Sequence, residues 1–138
     1  MRILTKKMEL QVGETVAVAT MLENEAPNTC KAIWDNLPIE NEAHHAKIAG
    51  PELYFMAIPK IIIEEMENPV KVHQVPSGTI SYYPVRPYIQ VFFGDLVPVW
   101  NIDVNRFAQI TENLEGLKMA ARRAWTRPGE RIIFRRGE

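Results

Sequence analysis

One cysteine in 138 residues excludes an internal disulfide, and with it the small secreted scaffolds that depend on such bridges. Cys30 therefore points to a reducing, cytoplasmic setting. No apolar run approaches the roughly 20 residues that span a bilayer. Met1 to Leu10 holds basic residues without the apolar stretch of a signal peptide. A dominant charge of one sign is missing too: the net charge of −1 draws the chain neither to nucleic acid nor to an anionic membrane. There are no internal repeats, no low-complexity tracts and no metal-spaced group of Cys, His and Asp, so neither metal nor cofactor is expected. What remains is 46% hydrophobic and 24% charged residues, the make-up of one globular domain over residues 1–138.

The patterning is mostly that of strands. Met8, Leu10 and Val12 alternate with polar neighbours, Gly13-Glu14 turns, and Thr15 to Leu22 returns. The small and apolar residues of this return strand suit burial on both faces. Cys30, Ile33, Trp34 and Leu37 then share one helical face, with Pro27 fitting the first turn and Pro38 ending the run. Trp34 reads as a core plug. Ala43 to Ile48 and Leu53 to Ile58 read as strands around a Gly50-Pro51 turn. Ile61-Ile62-Ile63 demands burial, in the domain or against a second subunit, and so offers a surface for a homo-oligomer. Residues 64–78 read as a long loop. Strands follow at Gly78 to Tyr83, Tyr88 to Phe93 and Val104 to Ile110. Asn113 caps a second helix whose apolar residues are Leu114, Leu117, Ala121 and Ala124, and Ile132 and Phe134 alternate in a closing strand. Two helices and about eight short strands predict a mainly β fold, a closed barrel whose interior is filled by side chains. Any ligand would then sit on the outer face or at a mouth.

Several of these segments resemble cyclophilins, the peptidyl-prolyl isomerases. Gly13-Glu14-Thr15-Val16 precedes Glu25-Ala26-Pro27-Asn28-Thr29, and Gly78-Thr79-Ile80-Ser81 precedes the Phe92-Phe93 strand, in the family's order and spacing. The resemblance runs from about Gly13 to Phe134. It implies a closed eight-stranded cyclophilin-like β-barrel with two α-helices, ending in a helix that closes the barrel and a strand that pairs with the first. Glu67-Asn68-Pro69, Tyr82-Tyr83-Pro84 and Phe92-Phe93-Gly94 are further similar to small microbial cyclophilin-like proteins that lack an assigned reaction.

The family's catalytic arginine lies in a Phe-x-Arg-x-Ile-Pro run, and the match here, Tyr54-Phe55-Met56-Ala57-Ile58-Pro59, puts Met56 in its place. A thioether has no N–H to offer a twisting prolyl amide. Val91 takes the position of the family's pocket glutamine, with Gln90 pointing to the opposite side of the strand. Val104 falls nearest the position of its pocket histidine. The resemblance therefore implies a barrel that binds a small molecule or a short peptide in a surface groove without isomerising it. The groove residues so expected are Tyr54, Met56, Tyr82, Val91 and Phe93, with His45 or Arg86 at the rim. An enzyme or enzyme subunit acting on small amide-type metabolites is the alternative, with His44 or His45 as acid or base; a residual prolyl isomerase is the third reading. The arginines at 122, 123, 127, 131, 135 and 136 read as a solvated helix and edge strand, not as a phosphate track.

Overall fold

The computed structural model describes residues 5–46, 51–56, 61, 63, 65–84, 87–94, 102–126 and 130–137, with the backbone alone at His45 and Trp125. The chain begins with a hairpin of β1 (Lys7–Val12) and β2 (Thr15–Met21), turned at Gly13 with φ 60°, a conformation that glycine adopts without steric cost. Met8 and Leu10 stand opposite Ala19 and Ala17, so each large side chain meets a small one across the pair, and all four are buried. The outward neighbours Val16, Val18 and Thr20 are not buried. β2 is thus covered on one face, where its composition had suggested two.

Helix α1 (Pro27–Asp35) follows, then β3 (Ile39–Glu42), β4 (His44–His45), β5 (Glu52–Met56) and β6 (Pro69–Lys71). After them come β7 (Thr79–Tyr83), β8 (Tyr88–Phe92), β9 (Asp103–Glu112), helix α2 (Leu114–Thr126) and β10 (Arg131–Arg136). The strands form one antiparallel sheet in the order β3-β10-β1-β2-β9-β7-β8-β5-β4, with β6 added on β9. The two ends of that order, β3 and β4, are successive pieces of a single segment, residues 39–45. Its first half pairs with β10 and its second half with β5. Between the halves, Ala43 donates its N–H to the Glu130 carbonyl at 2.8 Å. One bent segment therefore closes the sheet on itself, giving a nearly closed eight-stranded cyclophilin-like barrel with two helices.

Inward side chains fill the barrel. Leu10, Leu53, Phe55, Ile80, Ile89, Val91, Phe107 and Phe134 belong to one buried cluster, with Phe55 and Phe134 packed edge to face at 5.5 Å. Ile61 and Ile63 join this cluster, so they do not furnish the oligomer surface expected of them; Ile62 lies outside the described residues. Leu117, Ala120, Ala121 and Ala124 of α2 also face the core, as helical spacing predicts. From α1, Cys30 and Ile33 do the same, while Trp34 is only half-buried, with Lys6 and Arg136 over its ring at 5.3 and 4.9 Å.

The expected long loop before Gly78 holds structure of its own. β6 pairs with β9, and a 3-10 turn at Val72–Gln74 lets Val72 pack on Phe92 and Val104, a second apolar cluster outside the barrel. Glu67 reaches across to the start of α1. Its carboxylate accepts from the Asn28 N–H at 3.1 Å, the Thr29 N–H at 2.6 Å and the Thr29 hydroxyl at 2.8 Å. It supplies the cap that Ala26 cannot, since an alanine side chain has no acceptor. Asn68 accepts through its backbone carbonyl from the Arg106 N–H and donates through its side chain to the Arg106 carbonyl. The Glu67-Asn68-Pro69 run is thus a clasp between helix and sheet. Among the described residues no helix is long and apolar enough to cross a membrane.

Candidate functional site

The seam of the barrel lies where residues 39–45 leave β10 for β5. There β3 and β5 approach each other without a backbone ladder, and Asn41 stitches the gap by donating its side-chain N–H to the Met56 carbonyl at 3.0 Å. Over this seam opens a cavity of about 370 Å³, lined by Asn41, His44, Tyr54, Met56 and Tyr88. Strand pairing explains the grouping. His44 stands opposite Tyr54, and Met56 stands opposite Tyr88, so side chains from three strands converge on the outer face. The His44 and Tyr54 ring centroids are 5.6 Å apart with a 40° tilt; those of Tyr54 and Tyr88 are 5.1 Å apart with a 50° tilt. Met56 is 46% exposed at the rim. The hydroxyls of Tyr54 and Tyr88 and the imidazole of His44 make no hydrogen bond to another described residue, so their polar atoms are free to meet a ligand.

Beside the cavity the same outer face carries a buried polar row. Ser81 donates its hydroxyl to Gln90 Oε1 at 2.8 Å, and Gln90 Nε2 donates to Glu52 Oε2 at 3.1 Å. Gln90 is also the cross-strand neighbour of Tyr54. Glu52 is 5% exposed. Burial pushes its carboxyl up to about 7, against which the hydrogen bond from Gln90 pulls only partly back. No ion pair forms with it among the described residues. A carboxyl of this kind carries a proton below neutrality and a charge above it.

The residues expected at the groove divide between two faces. Tyr54 and Met56 come together, and His44 joins them. Of His45 only the backbone is described, pairing with Leu53, and Arg86 lies outside the described residues. Tyr82, Val91 and Phe93 do not line this cavity. Val91 is 0% exposed, opposite Leu53 and Ile80 inside the barrel, and Phe93 belongs to the same core. Tyr82 is buried there too and donates its hydroxyl to the Ile61 carbonyl at 2.6 Å. Of the tyrosine pair, Tyr83 is the outward one, packed on the Val72, Phe92 and Val104 cluster. The physical reason is strand parity: Tyr54 is in register with Gln90, not with Val91, so a face holding Tyr54 and Met56 cannot also hold Val91.

Tyr88 and Asn41 were missed. Tyr88 has the parity of Gln90, so recognising Gln90 as outward would have found it. Asn41 carries no signal in sequence, because its role comes from the bend in residues 39–45. Among the described residues no group of three or more His, Cys, Asp and Glu could hold a metal. Three of the C-terminal arginines are engaged within the fold: Arg131 with Glu40 at 2.7 Å, Arg135 with Glu9 at 2.8 Å, and Arg136 with the Trp34 carbonyl and ring. Their strand, β10, is not the edge strand expected of it, because β1 and β3 pair on its two sides.

The chain is thus a nearly closed cyclophilin-like barrel with an aromatic cavity at its seam. Residues 8–134 match the DUF3830 family, described as a protein of unknown function, and the chain belongs to that family. No curated protein matches it. Among solved structures, McbB in complex with tryptophan superimposes with a TM-score of 0.83 at 21% identity, over 95% of this chain and 45% of McbB. The chain thus spans less than half of McbB, and the likeness is one of fold. The solution structure of the hypothetical protein AF2241 from Archaeoglobus fulgidus gives a TM-score of 0.72 at 28% identity, over 99% of this chain and 98% of that one.

Proposed function

We propose that this barrel is a binding module whose seam cavity takes a small molecule or the end of a short peptide. The observation that carries the reading is the cavity of about 370 Å³ with its two tyrosine rings, thioether and imidazole. Sites for small ligands have this character: mostly apolar and aromatic walls with a few unengaged polar groups. The ring faces give contact area at little entropic cost, and the free hydroxyls give direction. Met56, at the position a prolyl isomerase gives to arginine, supports binding without catalysis. It offers no N–H to a rotating amide whose barrier is about 18–20 kcal/mol. The buried lone thiol of Cys30 supports a reducing, cytoplasmic setting.

Tryptophan, indole and proline-containing tetrapeptides are the first probes, the first because McbB was solved with tryptophan. In two-dimensional NMR titrations, one or more of them is expected to move the amide signals of residues 41, 44, 54, 56 and 88. The movement should be lost in Tyr54→Ala and Tyr88→Ala proteins that keep a folded spectrum. A broad fragment library that leaves all five signals in place would end the proposal. In a standard prolyl-peptide assay the protein is expected to stay at background.

A further inference from the structure

The three rings of the cavity form a bent wall. Among the described residues that line it there is no lysine or arginine. On the same sheet face, two residues before Tyr54, lies the Glu52 carboxyl. Strand geometry sets these side chains about 7 Å apart. Glu52 is buried and forms no ion pair among the described residues; its described partner is the Gln90 amide. Asn41 is already engaged, donating to the Met56 carbonyl and accepting the Glu42 N–H at 2.8 Å, so it leaves little for a ligand. What the cavity presents is therefore π faces, a soft thioether and an acid behind them.

We propose that the group this cavity recognises is an ammonium cation, primary or methylated, seated against the faces of Tyr54 and Tyr88 with Met56 and His44 on its flanks. The inference rests on the binding reading above and names the chemistry of its ligand. Aromatic faces carry negative quadrupole charge and attract a cation within about 6 Å of the ring centroid. With the Tyr54 and Tyr88 centroids 5.1 Å apart and the rings tilted by 50°, one small cation in the cavity can lie within that reach of both rings. A carboxylate or phosphate would find no paired cation in the described lining to bind it in two-point fashion. A neutral apolar group would fill the space but leave the ring quadrupoles unused.

The test compares choline with 3,3-dimethylbutan-1-ol, which has the same shape without the charge, by NMR titration of the full chain. Choline is expected to move the signals of residues 54 and 88 and to bind about ten-fold more tightly than the neutral alcohol. Tyr54→Phe and Tyr88→Phe keep the ring face and should bind within about three-fold of the parent. Tyr54→Leu and Tyr88→Leu keep apolar volume without the face and should lose about ten-fold for choline but little for the alcohol. If the alcohol binds as tightly as choline, or if indole alone binds, the ammonium inference is overturned while the cavity remains a binding site. If none of these probes moves the signals, the ammonium inference is overturned, and the binding reading falls with it only when the fragment library also leaves them in place.

Discussion

Replacing Glu52 by glutamine isolates the one carboxyl among the described residues that the fold holds well above its ordinary range. The carboxyl is displaced from 4.5 to about 7, chiefly by burial. Below pH 4.5 folded and unfolded chains both carry the proton, and the group contributes no difference. Between 4.5 and about 7 the unfolded chain releases the proton while the folded chain keeps it, so stability falls as pH rises. Above about 7 both are ionised and the loss levels off. At about 1.36 kcal/mol per pH unit, a displacement from 4.5 to about 7 makes that loss about 3 kcal/mol. Glutamine keeps the packing, and its carbonyl oxygen can still accept the Gln90 N–H. Glu52→Gln should therefore match the parent near pH 4.5 and exceed it by about 3 kcal/mol at pH 8. The assay is urea unfolding followed by tryptophan fluorescence at pH 4.5, 6, 7 and 8. Groups elsewhere cancel in the difference, and Cys30, pushed up to about 12, lies above the range. Parallel curves for parent and variant across that range would refute the reasoning.

Glu67→Ala should destabilise the protein by about 1–2 kcal/mol in urea, because three donors at the start of α1 lose their acceptor. Burial acts to raise the Glu67 carboxyl, but the bonds from Thr29 and Asn28 together hold it below the ordinary range. Its contribution should thus be present above pH 4.5 and fade as acid protonates it, so parent and variant converge at low pH. The thiol of Cys30 is driven up by burial first and then by the charges of Glu23 and Glu67, and it donates to the Phe107 carbonyl at 3.3 Å. Native protein at pH 8 should resist a thiol-disulfide reagent and react fully in urea; fast labelling of the folded state would contradict this placement. Val91→Gln places an amide inside the barrel and should cost about 3 kcal/mol, whereas Met56→Gln at the exposed rim should change stability by less than about 0.5 kcal/mol. Equal effects from the two, measured by thermal unfolding, would mean that the strand faces are assigned the wrong way round.

How far the residues foretold this structure depends on what kind of information each position carries. The hairpin at Gly13, the start of α1 at Pro27 and the inward face of α2 follow from local chemistry, and they stand where the pattern puts them. Tyr82-Tyr83 and Val91-Phe92-Phe93 carry no such mark, because both faces of their strands are covered. One face meets the core and the other meets Val72 and Val104. With apolar residues required on both sides, alternation loses its power to say which side is which. The outer layer that creates this ambiguity is the segment whose residues read as a long loop: β6, the 3-10 turn and the Glu67 clasp. A polar side chain with unusual surroundings breaks the tie. Gln90 cannot face the barrel interior without losing Ser81 and Glu52 as partners, so it must face outward, and its strand parity carries Tyr88 with it. Pairing then carries Tyr54 and Met56 to the same side. The face of the cavity is therefore marked by Gln90, on the side of the strand opposite Val91, and not by the Phe92-Phe93 pair whose resemblance first suggested a groove.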